Sequence, residues 1–559
     1  MRLCPRLEPA AASLAVFVLL AMPLAGLAAE RHVSTAGNDG SGDGSFQNPY
    51  RTIKRAISVS STGDTVTVRG PAANRTYNEC EVRLRQRLVL RAYPGHQPRI
   101  HCNDLSSSSV AVRVDPGGSG STVKGFEISG GYYGVMLQTS WYQGGPSSNQ
   151  GARNVLLEDL LIHDTGRDGI KITPKSDNAT IRRVEIHSTG AGYPPGTPQD
   201  NLYADGIDNV NGSGMGVEDS YIHDTATTGL YFKGCAADVV IQRNRIENTG
   251  DAGILGGFDT SPEFFDLQAN PRYYEAIRGT VRNNLVRNTG YSGIGMYASR
   301  DSIVANNTLV NTAQRGHAPL YFGVTFQDWD PNAGRPANTN PMLRNNLVIQ
   351  GGGRCVEIRY SNELGGLSGL SGPVNSDYNG FGTACRFRDS RPGSSLSDGT
   401  LAQWRATTGS DSHSLTGTFT VDATGHLPAG SQAIDRGVAV SQVLDDIDGQ
   451  ARGTRYDIGA DEYMAVNQAP TPRNGSRPLV PPSLTPASAT GSSAAPAAAG
   501  SALAGGQSGP QPSTSPAVGV EVREVAPQPI RIVAPARFAW LRFQGWLAET
   551  RHRLELLMD

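Results

Sequence analysis

Through the middle of the chain, apolar and polar residues alternate in short recurring runs, with no helical stripe between them. The stretches "LIHDTGRDGIKI" (161–172), "VEIHSTGAG" (184–192), "SYIHDTATTGLYF" (220–232), "NRIENTGDAGIL" (244–255) and "NLVRNTGYSGIG" (284–295) lie over one another, and "NTLVNTA" (307–313) continues the pattern. Alternation with period two predicts short strands, and the Gly, Asn and Thr clusters between them predict turns. The shared threonines Thr165, Thr189, Thr225, Thr249 and Thr289 are 24, 36, 24 and 40 residues apart. A unit of that size cannot bury its own apolar face, but stacked on copies of itself it can, and equivalent positions then form columns. The pattern predicts an all-β solenoid, a right-handed parallel β-helix.

One column holds the small polar residues Asp164, Ser188, Asp224, Asn248 and Asn288, and the threonines follow in the next. Such side chains at a bend bond to the coils on either side. The column before holds His163, His187, His223, Glu247 and Arg287. Histidines in register invite a metal reading, but their replacement by Glu and Arg predicts a column that simply faces water. Each strand opens on a glycine (Gly169, Gly206, Gly229, Gly253, Gly293), followed by an aliphatic residue that must point inward. The second and fourth residues then point outward. Lys171, Asp208, Tyr231 and Lys233, with Asp168 and Asp205 just before the glycines, therefore share one solvent-facing patch over consecutive coils.

The 559 residues suffice for a large core, and 67 glycines suit a fold with many tight turns. A formal charge of −2 gives no polycationic surface for nucleic acid. Residues 1–29, with Arg2 and Arg6 before an apolar run from Ala11 to Ala29, read as a secretory signal, which predicts a periplasmic or extracellular protein. Export permits disulfides; Cys80–Cys102 and Cys355–Cys385 are the pairs close in sequence, leaving Cys235 over. The β-helix is expected over 30–464. Residues 465–535, rich in Pro, Ala, Ser and Gly, are expected to be a disordered linker, and 536–559 a short amphipathic helix for a protein or membrane-surface partner.

Two segments carry a resemblance. Residues 31–70 ("RHVSTAGNDGSGDGSFQNPYRTIKRAISVSSTGDTVTVRG") look like the opening block of secreted bacterial β-helix proteins related to polysaccharide lyases. Residues 433–463 ("AIDRGVAVSQVLDDIDGQARGTRYDIGADEY") resemble the closing segment of the choice-of-anchor type. The Asp-Gly of Asp168, the D-G-x-D of Asp205–Asp208 and the F-K-G of Phe232–Gly234 resemble the calcium-dependent pectate lyases that use a lysine base. That resemblance implies Asp168, Asp205 and Asp208 as Ca²⁺ ligands and Lys233 as base, with Lys171 or Tyr231 helping to bind or protonate. It departs from the family at Ala204, where a second aspartate is usual, and in the register of Lys233. The chemistry fits an acidic polysaccharide: a hard cation neutralises the uronate carboxylate and a neutral amine removes the neighbouring proton. Long insertions at 130–153 and 256–279 bring aromatic rings, among them Trp141 and Tyr273, for sugar faces, and Arg272 and Arg278 for carboxylates. Other readings of the patch are a two-carboxylate hydrolase, an epimerase of the same fold, and a non-catalytic glycan-binding or scaffold β-helix.

Overall fold

A computed structural model describes residues 28–464 apart from 108, 141–149, 262–263, 326–334 and 363. The N-terminal run to residue 27, the linker and terminal helix expected beyond 464, and Trp141 lie outside the described residues. Each coil gives one strand to each of three sheets in turn; Leu156–Glu158, Leu161–His163 and Ile170–Ile172 make one coil. Three 12-stranded sheets result, and the chain forms the expected right-handed parallel β-helix. The last pair of the third sheet, Arg386–Asp389 with Leu396–Gly399, is antiparallel. Inward residues stack in files: Ile162, Ile186, Ile222, Ile246, Val286, Leu309 and Val348 are all fully buried along the second sheet. Among the described residues no helix is long and apolar enough to cross a membrane.

The bend after the second sheet explains the small polar column. Asp164, Ser188, Asp224, Asn248, Asn288 and Asn311 have φ of 54, 54, 49, 54, 51 and 52°, the left-handed region that Asn and Asp tolerate better than most side chains. Their amides also link coils, Asn248 to Asp224 at 3.1 Å, Asn288 to Asn248 at 3.1 Å and Asn311 to Asn288 at 2.9 Å. The hydroxyls of Thr165, Thr225, Thr249 and Thr289 each donate to the carbonyl two residues on. A second, internal ladder has no counterpart in the repeat reading. In Asn244, Asn284, Asn307 and Asn346, both the backbone N–H and Nδ2 donate to Oδ1 of the next member, ending at Asn379, and all five are fully buried.

The histidine column does not simply face water. His163, His187 and His223 stack with centroids 5.2 and 5.0 Å apart. The outer two are held between Glu127 and Asp164, and between Glu185 and Asp224. Burial opposes the charge on both, but these carboxylates prevail and raise their pKa. Cys80–Cys102 and Cys355–Cys385 are disulfides and Cys235 is a buried thiol.

Short helices close the ends. Ile53–Ser58 buries Ile53, Ala56 and Ile57 over the first coils. Leu401–Thr408, started by a Thr400/Gln403 capping box, lays Trp404 on Phe387 of the last coil. The closing segment then runs back along the flank. Asp445 takes Arg243 and Arg282, Arg452 donates to Asn283 at 2.9 Å, and Asn306 and Asn345 donate to the carbonyls of Asp457 and Val438.

Asn307→Ala should cost about 2 kcal/mol or more in chemical denaturation, because two donors of Asn284 lose their buried acceptor. A second test is acid stability. Glu158 is buried, which raises its pKa, but Lys124, Arg183 and Arg182 outweigh this and bring it from 4.5 down to about 2. A folded pKa below the unfolded one means stability that is present above about 4.5 and lost as pH falls towards about 2. Glu158→Gln should therefore flatten the acid limb of the stability–pH curve in that window.

Candidate functional site

The outward face of the third sheet carries one unbroken file of paired residues: Arg83, Arg113, Met136, Lys171, Asp208, Tyr231, Leu255, Gly295, Tyr321, Glu357 and Arg388. Lys233 pairs with Val210 two positions further along its strand. The glycines opening these strands are demanded by coil packing rather than by a turn. A Cβ on Gly206 would sit 2.4 Å from the Gly229 carbonyl oxygen and 2.5 Å from Ile222, and one on Gly169 would sit 2.5 Å from Ile186. With the glycine fixed in this way, the residue before it reaches the edge of the file. In two neighbouring coils that residue is an aspartate, Asp168 and Asp205.

Asp168, Asp205 and Asp208 converge, each offering a carboxylate oxygen within 4.8 Å of the others. They are buried, at 0, 4 and 1% exposure, which corrects the expectation of a solvent-facing patch. The Asp205 N–H donates to Asp168 Oδ1 at 3.0 Å; Thr227 Oγ1 and the Thr228 N–H donate to Asp205 Oδ1 at 2.7 and 2.9 Å. Lys171 Nζ donates to Asp208 Oδ2, and Arg167 lies 3.7 Å from Asp168. Two oxygens remain, Asp168 Oδ2 and Asp208 Oδ1, both buried and with no hydrogen-bond partner among the described residues. Burial pushes Asp168 and Asp205 above the usual carboxylate range, and the Asp208 charge adds to it. Burial acts on Asp208 too, but Lys171 and Lys233 outweigh it and hold Asp208 low. Lys171 is correspondingly kept as an ammonium, burial notwithstanding, with Asp208 its main partner.

Lys233 lies beside the carboxylates, with Nζ 4.4 Å from the Tyr231 ring centroid and 3.3 Å from the Asp259 carbonyl oxygen. Burial, then Asp208, pushes the Tyr231 hydroxyl pKa well up, so it stays protonated. The turn after Lys233 is fixed by Glu275, which accepts from the Gly234 N–H at 2.9 Å and from Thr260 Oγ1 at 2.7 Å. Glu275 is paired with Arg335 at 2.9 Å, both side chains fully buried. Sequence reasoning missed Glu275 and Arg335, which are 60 residues apart. It also passed over Arg167, although that residue adjoins Asp168.

The residues expected to bind sugar are engaged otherwise. Arg278 makes a bidentate pair with Asp238 at 2.7 and 2.6 Å. Tyr273 packs against Phe265 and under Arg335, and Phe264, Phe265 and Tyr274 are buried, so the 256–279 insertion forms its own small core. Arg272 is exposed on that insertion. Ala204, where a ligand is absent, is fully buried against Gly190. A second group, His426, Asp448 and Asp461, also has ligand atoms within 4.8 Å; there His426 pairs with Asp448 at 2.9 Å, which pushes its pKa up to about 9.

Residues 110–258 match the family model described as a right handed beta helix region. No curated protein matches the chain in sequence. Similar solved structures include the pectate lyase Pel9A, at 15% identity over 78% of this chain and 96% of that one, with a TM-score of 0.47. XylC in complex with xylose matches at 11% identity over 78% and 98%, with 0.48. PfbA, a surface adhesin of Streptococcus pneumoniae, matches at 12% over 59% and 79%, with 0.36. At these identities the likeness is one of fold.

Because Lys171 and Asp208 are a buried pair, Asp208→Ala should cost about 3 kcal/mol by leaving the ammonium unpaired, and Lys171→Met in the same chain should recover part of it. Urea melts of the single and double variants measure this.

Proposed function

We propose that the chain is an exported carbohydrate-active protein that cleaves an acidic polysaccharide by β-elimination at Asp168, Asp205, Asp208 and Lys233. The observation that carries this reading is the pair of unpartnered buried oxygens, Asp168 Oδ2 and Asp208 Oδ1, in a cluster of three carboxylates. Hard oxygen donors of this kind suit Ca²⁺, and Asp168, Asp205 and Asp208 would hold it. A bound Ca²⁺ would neutralise the uronate carboxylate and acidify the neighbouring C–H.

The protein's own groups supply the rest. The partly exposed cations Arg167 and Lys171 draw the substrate carboxylate to the buried aspartates. Lys233 takes the proton from the carbon next to the carboxylate. Its electron pair forms the new C=C bond, and the glycosidic C–O bond on the adjacent carbon breaks. The leaving oxygen takes a proton from Tyr231, which is held in its protonated form beside Lys233. Glu275 and Arg335 keep the Lys233 turn in place. Both disulfides suit an oxidising compartment, in line with residues 1–29 as an export signal.

A second reading, hydrolysis with Asp205 as acid and Asp208 as base, is favoured by their opposite pKa shifts. One assay separates the two. With a panel of acidic polysaccharides and Ca²⁺, elimination yields an ultraviolet-absorbing unsaturated uronate, whereas hydrolysis yields reducing ends without it. Lys233→Ala should lower turnover about 10²-fold or more while Ca²⁺ still raises the melting temperature, and Asp168→Asn should abolish that rise. Full turnover in Lys233→Ala sinks the lysine-base mechanism. Binding without any product sinks both reactions and leaves a glycan-binding β-helix.

A further inference from the structure

The file that carries Lys171 and Asp208 begins at Arg83, four rungs before Asp208, on the edge strand of the third sheet. There a cavity of about 550 Å³ opens between that strand and the first helix, lined by Lys54, Ile57, Glu81, Arg83, Arg85 and Gln86 among others. Its acidic groups face arginines, although Asp115 Oδ1 is buried with no hydrogen-bond partner among the described residues. Glu81 is held by Arg113 at 2.7 and 2.9 Å, and neighbouring Asp115 takes Arg83 at 2.7 Å. Two cations are only loosely held. The Arg85 side chain is 71% exposed, with a long 3.8 Å pair to Asp115, and Lys54 Nζ donates to the Cys80 carbonyl at 3.3 Å, near the Glu79 charge but in no ion pair among the described residues. Ile57 adds an apolar wall and Gln86 an amide.

We infer that this cavity is a distal subsite for an anionic sugar unit, with Lys54 and Arg85 binding its carboxylate or sulfate and Ile57 meeting the ring face. Four rungs at about 4.8 Å put it about 19 Å from Asp208, the reach of a short oligosaccharide. A polymer lying along the file can therefore touch both places at once. The inference deepens the proposed elimination by naming where a long anionic chain is gripped, and it rests on that reading only for the link to turnover.

The full chain is run in affinity gels containing polygalacturonate, alginate, dextran sulfate or neutral dextran. Retardation by an anionic polymer should weaken about tenfold in the Lys54→Ala/Arg85→Ala protein, while dextran has no effect on either. Arg436→Ala/Arg455→Ala removes the same charge elsewhere on the surface and should leave retardation unchanged. Where turnover is measurable, the first variant should raise KM for polymer and leave kcat alone. Requirement for Lys54 and Arg85 with dextran sulfate but not the uronates would identify sulfate as the anion. No retardation, unaltered retardation in Lys54→Ala/Arg85→Ala, or equal loss in both double variants would overturn the subsite. Retardation that needs Lys54 and Arg85, without turnover of any polymer, would sink elimination and leave the subsite standing.

Discussion

Each coil can bury its apolar faces and satisfy its backbone only against the coils on either side, at a rung spacing of about 4.8 Å. That spacing leaves no freedom at Gly169, Gly206, Gly229 and Gly253, where any side chain would strike the next coil's carbonyl or aliphatic file. It also decides which outward side chains must coexist. Lys171 has Asp208 as its rung neighbour because the two strands pair there, whatever the chemistry requires. Function in this fold is therefore written as an order of residues along a file.

The same constraint makes charge matching strict. Three buried carboxylates stand among Arg167, Lys171 and Lys233, and these neighbours offset part of the cost of burying them. The offset is uneven: Asp208 is held ionised while Asp168 and Asp205 are pushed towards their neutral forms. Glu275 and Arg335 repeat the arrangement as a wholly buried pair beneath the Lys233 turn. In both places a charge is tolerated because its partner is fixed by pairing or by a dense set of hydrogen bonds.

The sequence showed the architecture well because turn geometry dictates residue type directly. A left-handed bend after the second sheet selects Asn, Asp or Ser, and a hydroxyl closing the next turn selects Thr, so these columns were visible by eye. Inside-outside parity was equally legible, and with it the adjacency of Lys171, Asp208 and Tyr231. Burial of that patch was not legible, because residues away from the repeat decide how much of an outward face is covered. The rings of the 256–279 insertion pack on one another for the same reason. The internal asparagine ladder was hidden because Asn284, Asn307 and Asn346 follow other asparagines and read as ordinary turn residues. Arg335 could not be matched to Glu275 from spacing alone.

The closing segment binds the flank from Arg243 to Asn345, so the part of the chain made late contacts coils made long before it. A solenoid held only by nearest neighbours opens from its ends, one coil at a time. Here the coils of the C-terminal half cannot peel away independently, since Asp445, Arg452 and Asp457 anchor a single strand of chain to several of them. The earlier coils therefore acquire their lateral clamp only when the last segment is in place. A chain cut short of residue 433 leaves the asparagine turns at Asn283, Asn306 and Asn345 uncovered, an unfinished edge along the flank.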